Sequence, residues 1–197
     1  MAITTRQLWR KLSNSNNLFL IAGPCVIESE SLCLKVARTL SKTCDQLGIT
    51  YVFKASYDKA NRTSGKSRRG PGLREGLRIL KAVREKVGVP ILTDVHDVAQ
   101  STSAAEVVDI IQIPAFLCRQ TDLITAAVKT PAIVNLKKGQ FLSPQEMSQV
   151  VLKAESAGGK MVLVTERGTT FGYNNLVSDM RSIPVMKQSG YPVVFDA

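Results

Sequence analysis

One histidine, His96, and an aromatic content of 6% leave this sequence poor in the residues that several functions need. Basic residues are not interleaved with aromatic ones, so the stacking platform of a single-strand nucleic-acid binder is missing. The basic residues gather beside loops and form no helical stripe. The excess of 26 Lys and Arg over 16 Asp and Glu, a formal charge of +10, is therefore read as something other than a nucleic-acid footprint. No apolar run approaches the roughly 18 residues of a membrane span. The opening stretch MAITTRQLWRKLSNSNN carries basic residues but not the apolar segment of a secretory signal. Cys25, Cys33, Cys44 and Cys118 follow neither CxxC nor zinc-finger spacing. Three of them sit in apolar or helical contexts that suit reduced, small hydrophobes. Neither a nucleic acid nor a membrane is expected as a partner, and a reducing cytoplasm is the expected compartment.

What is present describes a globular chain. At 197 residues, 44% of them hydrophobic, it suits one domain or part of a larger one and can bury most of its apolar surface. Residues 1–17 read as an N-terminal extension and residues 18–197 as the domain proper. Seven short apolar runs recur: FLIAGPC (19–25), YVFKAS (51–56), ILTDVH (91–96), IIQIPA (110–115), IVNLKK (133–138), VLVTERG (162–168) and VVFDA (193–197). Near-continuous Val, Ile and Leu suits parallel strands covered on both faces. Helical patterns lie between them. Residues 29–47 place Leu32, Val36, Leu40 and Leu47 on one side, and residues 72–87 place Leu73, Leu77, Leu80 and Val83, with Gly88 as a stop. Residues 144–157 open with Ser143-Pro144-Gln145-Glu146, a capping signature.

Alternating strands and helices predict an α/β fold with a parallel sheet. A doubly wound sheet would show a glycine-rich phosphate turn after its first strand, whereas this chain reads GPCVIES and lacks GxGxxG. Cys25, Lys54, Asp94, Gln112, Lys137, Arg167 and Asp196 all fall at or near the ends of apolar runs. A closed barrel would bring such strand ends round one mouth. The expected fold is a (β/α)8 TIM barrel with seven of its eight strands in this chain.

The stretch FKASYDKANRTSGKSRRGPG, residues 53–72, holds six basic residues and one acid, Asp58. Lys54, Lys59, Arg62, Lys137, Lys138 and Arg167 come from three strand ends. Like charges gathered together repel unless an anion sits among them. Lys supplies a point charge and Arg a planar fork, both suited to phosphate. Two phosphates, or a phosphate and a carboxylate, would match the number of cations. Asn61 and Thr63 can bond sugar hydroxyls, while Arg62 and Ser64 can take phosphate oxygens. Asp94 suits a substrate hydroxyl, or it could orient His96 as a base; His96 is as readily a structural residue. Cys25 is either a buried free thiol or a thiolate metal ligand, with Asp94 and Asp196 as the other evident donors.

IAGPCVIES, YVFKASYDKANRTS, RRGPGLREGL, TDVH, IIQIPAFLCRQTDL, VNLKKGQF and TERGTTFGYNNLVSDMRS closely resemble the 3-deoxy-D-manno-octulosonate 8-phosphate (KDO-8-phosphate) synthases over about residues 18–197. The resemblance implies a transferase that condenses phosphoenolpyruvate with arabinose 5-phosphate and releases phosphate, for lipopolysaccharide biosynthesis. It assigns Lys54, Lys59, Gln112, Ala115, Lys137 and Arg167 to phosphoenolpyruvate, and Asn61, Arg62, Thr63 and Asp94 to arabinose 5-phosphate. Lys54, Lys59 and Asp94 are the expected catalytic set. Thr63 stands where the family usually has serine, which keeps the hydroxyl.

Cys25 matches the metal-dependent branch and implies a divalent metal (zinc, iron or manganese), of whose family ligands only Cys25 lies in this chain. The others, with the eighth strand, are expected beyond Ala197, so the 197-residue chain alone is expected to be inactive. The resemblance also implies a homotetramer. The sister synthases of 3-deoxy-D-arabino-heptulosonate 7-phosphate share GPC and the barrel. They typically carry Lys-Pro-Arg-Thr where this chain has Lys59-Ala60-Asn61-Arg62-Thr63. That activity, or a non-catalytic anion-binding fragment, is the alternative.

Overall fold

The computed structural model describes residues 3–13 and 18–197. The expected N-terminal extension is thus seen only in part, since residues 1–2 and 14–17 lie outside the described residues. Contacts divide the chain into two units. The first takes in the described residues up to Asp94 together with Ser103–Ile110, and the second Val95–Thr102 and Ile111–Ala197.

In the first unit, helix α1 (Thr5–Ser13) buries Leu8 and Leu12. The chain then runs through β1 (Phe19–Ala22), α2 (Glu30–Leu47), β2 (Thr50–Lys54), α3 (Leu73–Val87) and β3 (Ile91–Asp94). Strands β1 and β2 are parallel, with Phe19 opposite Thr50 and Ala22 opposite Phe53, and β2 pairs with β3 in the same sense. Val52, Phe53, Ile91 and Leu92 are fully buried, which is why these strands are apolar at every position and not at alternate ones. The Ser29 hydroxyl caps α2 by accepting from the Leu32 amide at 3.2 Å. The buried line of α2 is Cys33, Ala37 and Cys44, with Leu32, Val36 and Leu40 half-buried beside it and Leu47 exposed. The expected leucine face is therefore the flank of the stripe. Small residues occupy its centre, where the helix lies closest to its neighbours. In α3 the expected Leu77, Leu80 and Val83 are buried, and Gly88 ends the helix at φ 80°.

Asp109 is a buried carboxylate serving this unit's frame. It accepts from the Ile91 amide at 3.0 Å and from Arg84 at 2.9 Å. Burial holds its carboxyl above the usual range despite both partners.

The second unit holds α5 (Thr121–Val128), β5 (Ile133–Lys137), α6 (Met147–Ser156), β6 (Val162–Glu166), the hairpin β7 (Thr169–Phe171) and β8 (Asn175–Val177), α7 (Ser182–Lys187) and β9 (Val193–Phe195). Helix α4 (Val98–Ala105) and strand β4 (Ile110–Ile113) each draw residues from both units. Strands β5 and β6 are parallel, as are β6 and β9, while β7 and β8 are antiparallel. The reciprocal Ser143–Glu146 bonds form, but they close a turn ahead of α6, which begins at Met147 and not at Pro144. The Ser143 amide donates to Glu146 Oε2 at 2.8 Å and the Glu146 amide to Ser143 Oγ at 3.3 Å.

The strands follow one another in chain order, β1-β2-β3-β4-β5-β6-β9, with helices between them. This is the order of a (β/α)8 barrel, represented here by seven parallel strands. Among the described residues no helix is long and apolar enough to cross a membrane.

Candidate functional site

The first unit positions Lys54 and Asp94 as neighbours at the ends of β2 and β3. Lys54 Nζ donates to Ser56 Oγ at 3.1 Å and lies 3.7 Å from Asp94 Oδ1, while the Ser56 hydroxyl donates to Asp94. Asp94 is buried and Lys54 half-buried, so the pair is largely shielded from solvent screening. The backbone of the GPC motif approaches β2 closely. A Cβ on Gly23 would collide with the Lys54 carbonyl, which explains the glycine beside that residue.

Beyond Lys54 the chain enters the basic loop. The Lys59 amide donates to the Arg69 carbonyl at 2.7 Å, closing the base of the loop, and Arg69 Nε donates to Asp58 at 2.8 Å. One of the six cations is thereby compensated within the loop. Lys59 is half-buried, whereas Asn61, Arg62, Thr63 and Ser64 are exposed. Gly70, at φ 127°, packs against the Tyr57 carbonyl, where a side chain would not fit.

In the second unit three buried polar side chains are linked across three strands. Thr165 Oγ1 donates to Asn135 Oδ1 at 2.7 Å, and Asn135 Nδ2 donates to Gln112 Oε1 at 3.0 Å. The Gln112 carbonyl is thus engaged, and its NH2 group carries two further donors. Lys137 Nζ lies 2.7 Å from Asp196 Oδ2. Arg167 Nη1 donates to Gln140 Oε1 at 3.0 Å, and its Nε is buried without a hydrogen-bond partner among the described residues. Ala115 is buried in the short helical turn that follows β4.

Three readings of individual residues need correction. Lys138 is not a cation open to a ligand but is fully buried just past the end of β5, its ammonium enclosed by the Gly168 and Leu142 carbonyls. His96 does not share a strand with Asp94, since β3 ends at Asp94; its amide donates to Gln100 Oε1 at 2.9 Å. Cys25 is exposed and so is not a buried thiol, unlike Cys33, Cys44 and Cys118. Burial raises those three thiols, Cys33 to about 11.

Ser56, Asn135, Gln140 and Thr165 were missed by sequence reasoning. Asn135 stands two residues before Lys137 in β5 and so shares its strand face, a period-two signal that could have found it, whereas β6 ends before Arg167 and gives Thr165 no such signal. Nothing local marks Ser56 or Gln140.

As a metal centre the described residues fall short: they contain no group of three or more His, Cys, Asp or Glu side chains able to hold an ion. One exposed thiol, Cys25, does not fill the four positions zinc requires.

Comparison with known proteins shows the family. Residues 9–197 match the model of the DAHP synthetase I family. A 2-dehydro-3-deoxyphosphooctonate aldolase of Geotalea daltonii is 58% identical over 187 residues, 95% of this chain and 69% of the relative. One from Koribacter versatilis is 61% identical over 180 residues, 91% of this chain and 64% of the relative. One from Geobacter sulfurreducens is 56% identical over 187 residues, 95% of this chain and 69% of the relative. The chain thus spans about two-thirds of the length of these relatives, and it belongs to the DAHP synthetase I family.

Proposed function

We propose that this chain carries the substrate-binding residues of a 3-deoxy-8-phosphooctulonate synthase, which condenses phosphoenolpyruvate with D-arabinose 5-phosphate. The observation that carries the reading is a shared arrangement at two strand ends. Lys54 at β2 and Lys137 at β5 each present a half-buried ammonium beside a carboxylate, Asp94 and Asp196. The names borne by the relatives point to the same chemistry.

In this reaction C3 of phosphoenolpyruvate bonds to the aldehyde carbon of the sugar, whose oxygen takes a proton. C2 gains positive character and takes a hydroxyl from water, and inorganic phosphate leaves. Both substrates are highly charged, so the protein's contribution is to hold them together with fixed cations and donors. Lys54, Lys59, Gln112, Lys137 and Arg167 are assigned to phosphoenolpyruvate, with Ala115 beside it. Gln112 offers its NH2 group because Asn135 holds its carbonyl. Asn61, Arg62 and Thr63 are assigned to arabinose 5-phosphate, and their exposure leaves them able to meet it. Asp94 accepts from a sugar hydroxyl while neutralising Lys54.

Cys25 would be one thiolate donor toward a divalent metal (zinc, iron or manganese). A cytoplasmic homotetramer serving lipopolysaccharide biosynthesis completes the reading.

Phosphate release from the two substrates, together with phosphoenolpyruvate binding by calorimetry, tests it. Any release should require both substrates, and Arg167→Ala should weaken phosphoenolpyruvate binding by about 2–4 kcal/mol, the loss of a desolvated charge-assisted bond. Turnover of a four-carbon sugar phosphate in preference to arabinose 5-phosphate would favour the heptulosonate synthase. Phosphoenolpyruvate binding without turnover would favour an anion-binding role. Neither binding nor turnover would sink the proposal.

A further inference from the structure

Lys138 has no exposed surface, yet its side chain is engaged by more groups than that of either neighbouring site cation. Its ammonium donates to the Gly168 carbonyl at 2.7 Å, the Thr169 hydroxyl at 3.0 Å and the Leu142 carbonyl at 3.1 Å. It also reaches the Gly139 carbonyl at 3.5 Å and lies 3.7 Å from Glu166 Oε1. An ammonium has three protons, so these acceptors saturate it. Burial holds it below the usual lysine range, against the opposing pull of Glu166.

The acceptors belong to two loops. Gly139 and Leu142 follow Lys137 at the end of β5, and Gly168 and Thr169 follow Arg167 at the end of β6. The same two loops are joined again around the ammonium. The Thr169 hydroxyl donates to the Leu142 carbonyl at 3.2 Å, and the Thr170 amide to the Gln140 carbonyl at 2.7 Å. Glu166 accepts from the Gly168 amide, and Gln140 holds Arg167. The adjacent lysines have different surroundings, Lys137 half-buried at the end of β5 and Lys138, just past it, enclosed.

We infer that Lys138 is a positioning residue: its ammonium ties the loop after β5 to the loop after β6 and so sets the directions in which Lys137 and Arg167 leave their strands. The inference deepens the proposed function, resting on its reading of Lys137 and Arg167 as phosphoenolpyruvate ligands. A methionine at this position would fill similar space and make none of the bonds, leaving the buried Gly168 carbonyl without its donor while the Leu142 and Gly139 carbonyls keep theirs from the Thr169 hydroxyl and the Leu142 amide.

The test compares the wild type with Lys138→Met by amide hydrogen exchange and by phosphoenolpyruvate calorimetry. The amides of Leu142, Gly168 and Thr170 should exchange about tenfold faster or more, all together, while Val134 and Val164 in the strands keep their protection. Phosphoenolpyruvate affinity should fall about tenfold or more, as expected when ligating groups are misplaced. Loosening of only one loop, or of neither, overturns the inference, and so does loosening of both with affinity unchanged. If Lys138→Met does not fold, Thr169→Val removes the half-buried hydroxyl that bonds both Lys138 and the Leu142 carbonyl and should speed the same amides about threefold. No change in Thr169→Val would then leave Lys138 a requirement of the fold alone and overturn the positioning role. If the wild type binds no phosphoenolpyruvate, the functional reading fails, and the exchange rates still decide whether Lys138 joins the loops.

Discussion

The Lys137 ammonium is held 2.7 Å from the carboxylate of Asp196, a residue two strands away across β6. Asp196 is itself fixed, since its amide donates to the Glu166 carbonyl at 2.9 Å. The pair is a half-exposed one, with side-chain exposures of 21% and 42%. Ion pairs of this kind contribute only about 0–1 kcal/mol. A phosphate, with more charge and three oxygens to offer, can therefore take the lysine from the aspartate without a large penalty.

Asp196→Asn should accordingly tighten the binding of inorganic phosphate, by about two- to fivefold, the equivalent of removing a competing anion worth up to about 1 kcal/mol. Calorimetry at low ionic strength measures it, and added salt should shrink the difference. Weaker binding in the variant would mean that Asp196 aims the ammonium instead of competing for it.

Much of the fold was legible because both of its periods are strongly written. Six of the seven apolar runs contain a whole parallel strand and β2 overruns the remaining run by one residue, Thr50, while the helical intervals contain α2, α3 and α6. The Ser143–Glu146 cap could be read directly because it depends on four consecutive residues. Packing was less legible. A helical wheel marks Leu32, Val36 and Leu40 as the face of α2, but the closest approach goes to Cys33 and Ala37, whose small size permits it. Charge was misread where sequence cannot show burial. Lys137 and Lys138 look alike in VNLKKGQF, and only the contacts of the folded chain separate an ion-paired cation from an enclosed one. Ser56 and Gln140 acquire their roles from contacts 38 and 27 residues away.

Asn135 connects two otherwise isolated polar groups, so its removal should act on both stability and binding. Asn135→Leu strips the Thr165 hydroxyl of its acceptor and the Gln112 carbonyl of its donor, both in buried surroundings. A loss of about 1–3 kcal/mol in denaturant unfolding is expected for stranded polar groups of this kind. Gln112 would also be released to rotate, and phosphoenolpyruvate affinity should fall. A variant that loses stability but binds normally would show that Gln112 needs no such anchor.

The cap before α6 makes a separable prediction about stability alone. Ser143→Ala removes the hydroxyl that accepts from the Glu146 amide at 3.3 Å. It should lower unfolding free energy by about 1 kcal/mol, the usual value of such a cap. Ser143→Gly should cost less, because glycine leaves the amide open to water. Substrate affinities should be unmoved in both, and a changed phosphoenolpyruvate affinity would show that the start of α6 is coupled to Lys137.

Cys33 gives the protein a defined weakness in alkali. Burial, and next the charges of Glu28 and Glu30, push its thiol up to about 11 in the folded chain, against an ordinary value of 9.0. Between those two pH values the unfolded chain has released the thiol proton and the native chain still holds it. The native state then binds more protons, so stability is intact below pH 9 and falls as pH rises toward 11, by about 1.4 kcal/mol per pH unit for one group. Cys44 and Cys118, also raised by burial, add to the fall in the same direction. Cys33→Ala should therefore reduce the slope of unfolding free energy against pH over this window by about one proton's worth without abolishing it. Any packing loss from the missing sulfur would offset the whole curve but leave its slope alone. Denaturant melts at half-unit steps from pH 8 to pH 11, within about the range set by that linkage, provide the measurement. An unchanged slope would mean that the thiol ionises in the native protein as readily as in the unfolded chain, and that the α2 face admits water around Cys33.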